Sequence, residues 1–398
     1  MRILFLSPRQ SWPPTSGAKL RDYHLARALG SQSELTYVYY AEPGLAKPTT
    51  TDMPFCRQVI GIPRARGYTP VKLVTGLAGR WSLPVVNYTS ADVVQAIGRC
   101  FAEAKYDLVH CDSIHVAACI EAVGRAMNGI PCFYNWHNIE SELMQRYSIA
   151  ADSAARRLYA RLTERRLRND EDRILGSADG HIVCSEREKL QLSARAPQAR
   201  VAVIENGVDA AGFAQGSNSA VPRNRLLFVG SMSYHANSDA AVWFTREIWP
   251  GIRQRFPQWR LTLVGSEPGP QVKALAELPG VEVTGTVSEV QPYYQEAIAA
   301  LVPIRVGGGT RLKILEAMAA GVPVVSTSLG AEGIPVSHGR DILIADRPEE
   351  WVEMLVSLQE GKRAEQLAEA GRSLVASRYD WNAIGKTLLD TYREWLLG

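Results

Sequence analysis

The chain is short of several things that would have decided its class at once. It has six cysteines in 398 residues, Cys56, Cys100, Cys111, Cys119, Cys132 and Cys184. None forms the C-x-x-C spacing of a metal clip or redox pair, and several sit in apolar runs, so they read as core residues of a reducing compartment. Charge is almost balanced, with 44 Lys and Arg against 41 Asp and Glu and a formal net charge of +3, too mild for a nucleic-acid partner. Low-complexity tracts are absent. No window approaches the roughly 18–20 apolar residues of a spanning helix. The opening MRILFLSPRQSWPP has too short an apolar stretch for a signal-peptide core and no small-residue cleavage site. The expectation is a cytoplasmic protein, at most peripheral to the inner face of the membrane.

What is present is alternation. Nearly continuous apolar runs mark strands at Arg2–Ser7, Leu35–Tyr40, Gln58–Ile62, Asp107–Cys111, Pro131–Trp136, Gly180–Ser185 and Val201–Glu205. Helical patterns fall between them, among them Ala18–Leu29, Ser90–Ala104, Ile114–Met127 and a charged one from Ala150 to Gly176. The stretch DAAGFAQGSNSAVPRNR, from Asp209, has almost no bulky apolar residues and reads as a linker. Strands then resume at Leu226–Gly230, Leu261–Gly265, Val281–Thr284, Ala300–Pro303, Val322–Thr327 and Ile342–Ala345, with helices including Gln291–Ala299 and Thr310–Ala320. The length exceeds one hydrophobic core, and βα alternation implies parallel sheets with right-handed crossovers. The expected organisation is an α/β, doubly wound domain over 1–208, a linker over 209–224, a second such domain over 225–380, and a helix over 381–398 that could pack back on the first. Ligands of such sheets bind at the carboxyl ends of strands.

The densest signal is PIRVGGGTRLKILEAMAAG, Pro303–Gly321. A strand ends, Gly307, Gly308 and Gly309 follow, and a helix starts near Thr310 and stops at Gly321 before Pro323. Glycines let a ligand approach the backbone, and a helix start offers free N–H groups. Arg305 precedes the glycines. Arg311 and Lys313 fall in the first helical turn, where cations are unfavourable unless an anion binds, and a diphosphate would fit. Glu316 lies beside the buried stripe of Leu312, Leu315 and Ala319, where a carboxylate needs partners. Two ribose hydroxyls would supply them; so would backbone groups in a plain Gly-rich turn.

In the first half, two histidines end strands: His110 in DLVHCD, with Asp112, and His137 in FYNWHNIESEL, with Glu140. Each could serve chemistry or be a histidine bonded within its loop. The loop after the first strand, PPTSGAK, offers Gly17 over a phosphate or as a simple strand-to-helix turn. Asp170-Glu171-Asp172 spells a D-x-D string but lies in a charged helix, so a solvated face is expected, and no acid or His cluster has ligand spacing. No metal is expected. Arg157, Arg161, Arg165 and Arg168 share a helix face that could meet anionic headgroups through the Arg156–Arg168 helix. A surface ridge bridged to acids is the favoured alternative, with Leu158, Leu162 and Leu167 as ordinary core.

The run LEAMAAGVPVVSTSLGAEGI is similar to the donor-binding signature of glycosyltransferase family 4. LLFVGSM (with Gly230), LTLVG, VTGTVSEVQPYY and ENGVD occur in that family in this order, so the resemblance spans nearly the whole chain. It implies a GT-B fold of two Rossmann-like domains facing across a cleft, retention of anomeric configuration, and a nucleotide-diphosphate sugar as co-substrate without a cofactor, with uridine the leading base. By resemblance, Glu316 would hold the ribose hydroxyls, the Gly307–Thr310 loop would cover diphosphate and sugar, and His137 would face the donor sugar, with His110 second. The acceptor would be a hydroxyl on a glycan, a lipid-linked sugar or a small molecule. The family's first acid of Glu, seven residues, Glu falls here on Gly308, which opens the sugar's identity. A nucleotide-sugar epimerase on this scaffold and a non-catalytic scaffold are the rival readings.

Overall fold

The computed structural model describes residues 1–398 apart from 64–66, 68, 128, 151–152, 215–222 and 307–311. Two parallel sheets organise it. The first has seven strands in the order β3-β2-β1-β4-β5-β6-β7: β1 (Arg2–Ser7), β2 (Glu34–Ala41), β3 (Gln58–Pro63), β4 (Leu108–Cys111), β5 (Cys132–Asn135), β6 (Gly180–Val183) and β7 (Val201–Val203). The second has six, in the order β10-β9-β8-β11-β12-β13: β8 (Arg225–Val229), β9 (Arg260–Val264), β10 (Val281–Gly285), β11 (Ala297–Val302), β12 (Val324–Ser326) and β13 (Leu343–Ile344). Each sheet separates its own apolar core, with helices covering both faces, which is why its strands read as unbroken apolar runs. Strand order reverses between β1 and β4 in one sheet and between β8 and β11 in the other. A doubly wound sheet opens a ligand crevice at such a point.

The chain divides into two compact units, Met1–Glu205 with Gly385–Gly398, and Asn206–Ile384. The first crossing lies at Glu205–Asn206, ahead of the expected linker. That segment begins instead with a short helix, Ala210–Ala214, whose Phe213 packs edge-on against Tyr294 within the second unit. The second crossing falls inside the last helix, Trp381–Leu397. Its later part belongs to the first unit, where Trp395 lies so close to Gly180 that a Cβ there would sit 2.4 Å from the indole.

Two helical expectations change. The helix expected over Gln291–Ala299 stops at Gln295, and β11 takes Ala297 onward. Alanine favours helix intrinsically, but AIAALV is fully enclosed between β8 and β12, and burial overrides propensity. The charged helix Ala154–Ser177 is preceded by a partner, Glu140–Ala150. The helix after the glycine run is described over Leu312–Ala319, and Gly321, at φ 68°, follows it in the left-handed conformation that ends helices.

Candidate active site

At the switch point of the first sheet, four charged side chains converge from segments far apart in sequence. Arg9 follows β1, Asp22 lies in helix Gly17–Ser31, Asp112 follows β4 and His137 follows β5. Arg9 Nη1 lies 3.0 Å from Asp22 Oδ1, 3.7 Å from Asp112 Oδ2 and 3.1 Å from His137 Nε2. The same imidazole nitrogen is 3.1 Å from Asp22 and 3.2 Å from Asp112. Both carboxylates are completely buried, so each must be bonded. Ser7 and Ser11 hydroxyls donate to Asp22 at 2.9 and 3.2 Å, and Asn135 Nδ2 donates to Asp112 at 2.5 Å. Buried Arg21 fixes that amide by donating to Asn135 Oδ1 at 2.8 and 3.1 Å.

The two acids titrate in opposite directions. Burial and repulsion from Asp112 push Asp22 up to about 6, against the pull of Arg9 and His137. Burial also acts to raise Asp112, but His137 and the hydrogen bonds from its neighbours outweigh it and hold this acid well below its ordinary range. Burial would lower His137, yet Asp112 and Asp22 win and raise it. The cluster thus sets two buried carboxylates against a guanidinium and an imidazole whose charged form they favour. His137 keeps 12% of its side chain accessible and is the one member of the acid–imidazole trio that reaches the surface.

The same trio brings Asp22, Asp112 and His137 ligand atoms within 4.8 Å of one another, a grouping that sequence spacing did not show. Arg9 stands among them, so the position a divalent cation would take already holds a positive charge.

His110 is fully buried, stacked on Phe5 at 4.2 Å with its Nδ1 2.7 Å from the Tyr392 hydroxyl. Burial lowers its pKa, so it is a neutral ring behind Asp112, out of reach of a substrate. Gly17 is exposed and opens helix Gly17–Ser31, whose Ser16 caps the Lys19 N–H. Glu140, three residues past His137, is half-buried; burial and Glu171 push it up to about 7, with His137 and Arg9 opposing.

The expected solvated face of Asp170-Glu171-Asp172 is corrected for its first two members, which are buried. Asp170 accepts the Ser82 N–H at 2.8 Å. Glu171 accepts the Ser141 N–H at 2.9 Å and its hydroxyl at 2.6 Å, and pairs with Arg195 at 2.8 Å. It thereby ties the start of helix Glu140–Ala150, and the loop carrying His137, to the long helix.

The second unit carries its own constellation at the β8–β11 switch point. Glu316 is half-buried and accepts a hydrogen bond from Tyr294 at 3.1 Å; burial raises its pKa while Tyr294 and Lys313 act the other way. Lys313 donates to Asn237 Oδ1 at 2.8 Å and lies 4.4 Å from the centre of the Phe228 ring. Gly230 leaves room for this lysine, since a Cβ there would lie 2.8 Å from Lys313 Nζ. Arg305 pairs with Asp239 at 2.8 Å and stacks over Trp243 at 4.7 Å. Gly307, Gly308, Gly309, Thr310 and Arg311 lie outside the described residues.

Arg9, Asp22, Asn135 and Glu171 are the site residues the sequence did not yield. Asp22 left a trace: it is in phase with Leu25, Ala26 and Leu29, so its helix puts a charge on its buried face.

This architecture is found in several solved structures. Over 99% of both chains it matches sucrose-phosphate synthase from Thermosynechococcus elongatus, with a TM-score of 0.69 at 18% identity. Over 99% of this chain and 100% of the other it matches the Anabaena protein HepE, solved in complex with UDP, with a TM-score of 0.67 at 16% identity. The fold is that of the GT-B glycosyltransferases.

Residues 22–211 match the model described as Glycosyltransferase Family 4, and residues 223–360 the model described as Glycosyl transferases group 1. A D-inositol 3-phosphate glycosyltransferase of Actinosynnema mirum is 25% identical over 325 residues, 74% of this chain and 75% of the relative. A protein of the Klebsiella pneumoniae cps region is 30% identical over 129 residues, 30% of this chain and 33% of that relative's length. The chain is a glycosyltransferase, similar over its first half to family 4 and over much of its second to the group 1 enzymes.

Proposed function

We propose that the enzyme transfers a glycosyl group from a nucleotide-diphosphate sugar to a hydroxyl acceptor, with retention of configuration and without a metal. The carrying observation is Glu316: a half-buried carboxylate with one oxygen bonded to Tyr294, and among the described residues no second donor. Such a group is poised to accept hydroxyl hydrogen bonds from a ribose. Lys313, held against Gly230, adds positive charge for a diphosphate. HepE, a structural neighbour, is solved with UDP and with UDP-glucose, which supports a nucleotide sugar and keeps uridine as the leading base.

His137 is the candidate to orient the donor sugar, because it is the accessible edge of a charged cluster. Asp22 and Asp112 are buried and closed by Arg9 and His137, so neither is placed as a nucleophile of the glycosidase kind. That favours attack from the face the phosphate leaves, with Arg9 supplying a fixed positive charge where a metal ion would otherwise act. The reading places the enzyme in the cytoplasm, where its buried cysteines stay thiols. It includes a peripheral membrane contact through the Arg156–Arg168 helix.

Calorimetric titration with a panel of nucleotide diphosphates, on the wild type and on Glu316→Ala, tests the donor site. Selective binding that the variant loses supports the assignment and identifies the base. A folded wild type that binds no nucleotide sinks the reading.

A further inference from the structure

Seventeen large apolar side chains are exposed among the described residues, and nine of them fall on three helices of the first unit, Pro70–Ala78, Glu140–Ala150 and Ala154–Ser177. The most open on each helix are Val71 at 71%, Ile149 at 80% and Leu158 at 60%. This overturns the expectation that Leu158 and Leu162 are core; of that trio only Leu167 is buried. At 100° per residue, Leu158 and Leu162 project from the side of their helix opposite Ala160, Thr163 and Leu167, which face the protein. Arg161 and Arg165 are exposed beside the two leucines on the same outer side.

Side-chain contacts tie the three helices together. Arg166 donates to the Gly79 and Trp81 carbonyls, just past helix Pro70–Ala78, and Arg173 stacks on Trp81 at 4.6 Å. The Glu171–Ser141 bonds fasten the second helix to the third. Apolar side chains interspersed with Lys72, Arg146, Arg161 and Arg165 do not make the continuous apolar core of a protein–protein interface. They suit a layer in which apolar tips reach below a plane of anionic headgroups while guanidinium groups stay in it.

We infer that the outer face of these three helices docks on an anionic lipid bilayer, the leucines entering the headgroup boundary and Arg161 and Arg165 pairing with lipid phosphates. This deepens the membrane contact in the functional reading by naming its surface and lipid class. It does not depend on the donor site, so nucleotide binding and vesicle binding fail separately.

Co-sedimentation of the full chain with vesicles of phosphatidylcholine alone, or of phosphatidylcholine with phosphatidylglycerol, is the test. The wild type should bind the anionic vesicles, less so at high salt, and leave the neutral ones. A basic residue near an anionic surface strengthens binding roughly fivefold, so Arg161→Ala with Arg165→Ala should weaken it by about 30-fold. Leu158→Ser with Leu162→Ser should weaken it by at least about tenfold while nucleotide binding is retained. Absence of wild-type binding to anionic vesicles, or equal binding by both variants, overturns the inference. A concentration-dependent dimer abolished by the leucine variant would also overturn it, assigning the face to a second copy of the chain.

Discussion

Replacing Asp22 with Asn should make the protein more stable above pH 6, although it removes a bonded charge. Asp22 rises from an ordinary 3.8 to about 6 in the folded chain. Between about pH 4 and pH 6 the unfolded carboxyl has therefore ionised while the folded one keeps its proton. The folded chain binds more protons there, so its stability falls as pH rises and is lowest once Asp22 is ionised. A gap of about two units corresponds to about 3 kcal/mol. Asn resembles the protonated acid: a carbonyl oxygen at the Oδ2 position can still accept from Ser7, Ser11 and Arg9, and it carries no charge against Asp112. For a unit of this size the gain amounts to roughly 6–12 °C in its melting transition at pH 8, and to little at pH 4. Thermal unfolding of wild type and Asp22→Asn across that range is the assay. A variant that melts below the wild type at pH 8 would refute the reasoning, because it would show the ionised carboxylate holding the cluster together. The same variant leaves His137 with one anion instead of two, so its pKa should drop, and histidine-selective NMR titration reads that directly.

Two further predictions follow from neighbouring contacts. Glu171→Ala strands the Ser141 N–H, its hydroxyl and Arg195 without a buried partner, so it should cost about 3–5 kcal/mol, and turnover should fall with it because the His137 loop is released; denaturant unfolding and steady-state rates measure the two effects. Chelation with EDTA should leave wild-type turnover unchanged, whereas Arg9→Met vacates the centre of Asp22, Asp112 and His137 and should create zinc affinity detectable by calorimetry; turnover abolished by EDTA in the wild type would show that the arginine does not replace a metal.

Much of the architecture was legible because strands buried on both faces leave no choice of residue. ILFL in MRILFLS and LLFV in LLFVGSM are apolar on successive positions, as strands covered on both faces require. β11 was misjudged at its start because alanine carries no strand signature; its state is set by enclosure between two strands distant in sequence. The site was half legible for a similar reason. His137 and Glu316 sit in local motifs, whereas Arg9 meets His137 across 128 positions and Arg21 meets Asn135 across 114. No local pattern carries such pairings. Asp170 and Glu171 misled in the opposite sense: a run of charge normally faces water, and only the tertiary structure shows Ser82, Ser141 and Arg195 waiting to bond it.

The last helix bears on how the protein is made. Its residues from Gly385 onward belong to the first unit, where Tyr392 bonds His110 behind Asp112 and Trp395 covers Gly180. During synthesis the first 205 residues emerge early, but they lack those side chains and so an unfinished core with a buried imidazole short of its partner. The second unit, Asn206–Ile384, is contiguous and can close as soon as it leaves the ribosome. The half made first is therefore completed last, and its buried charged cluster matures only once the last helix has been made.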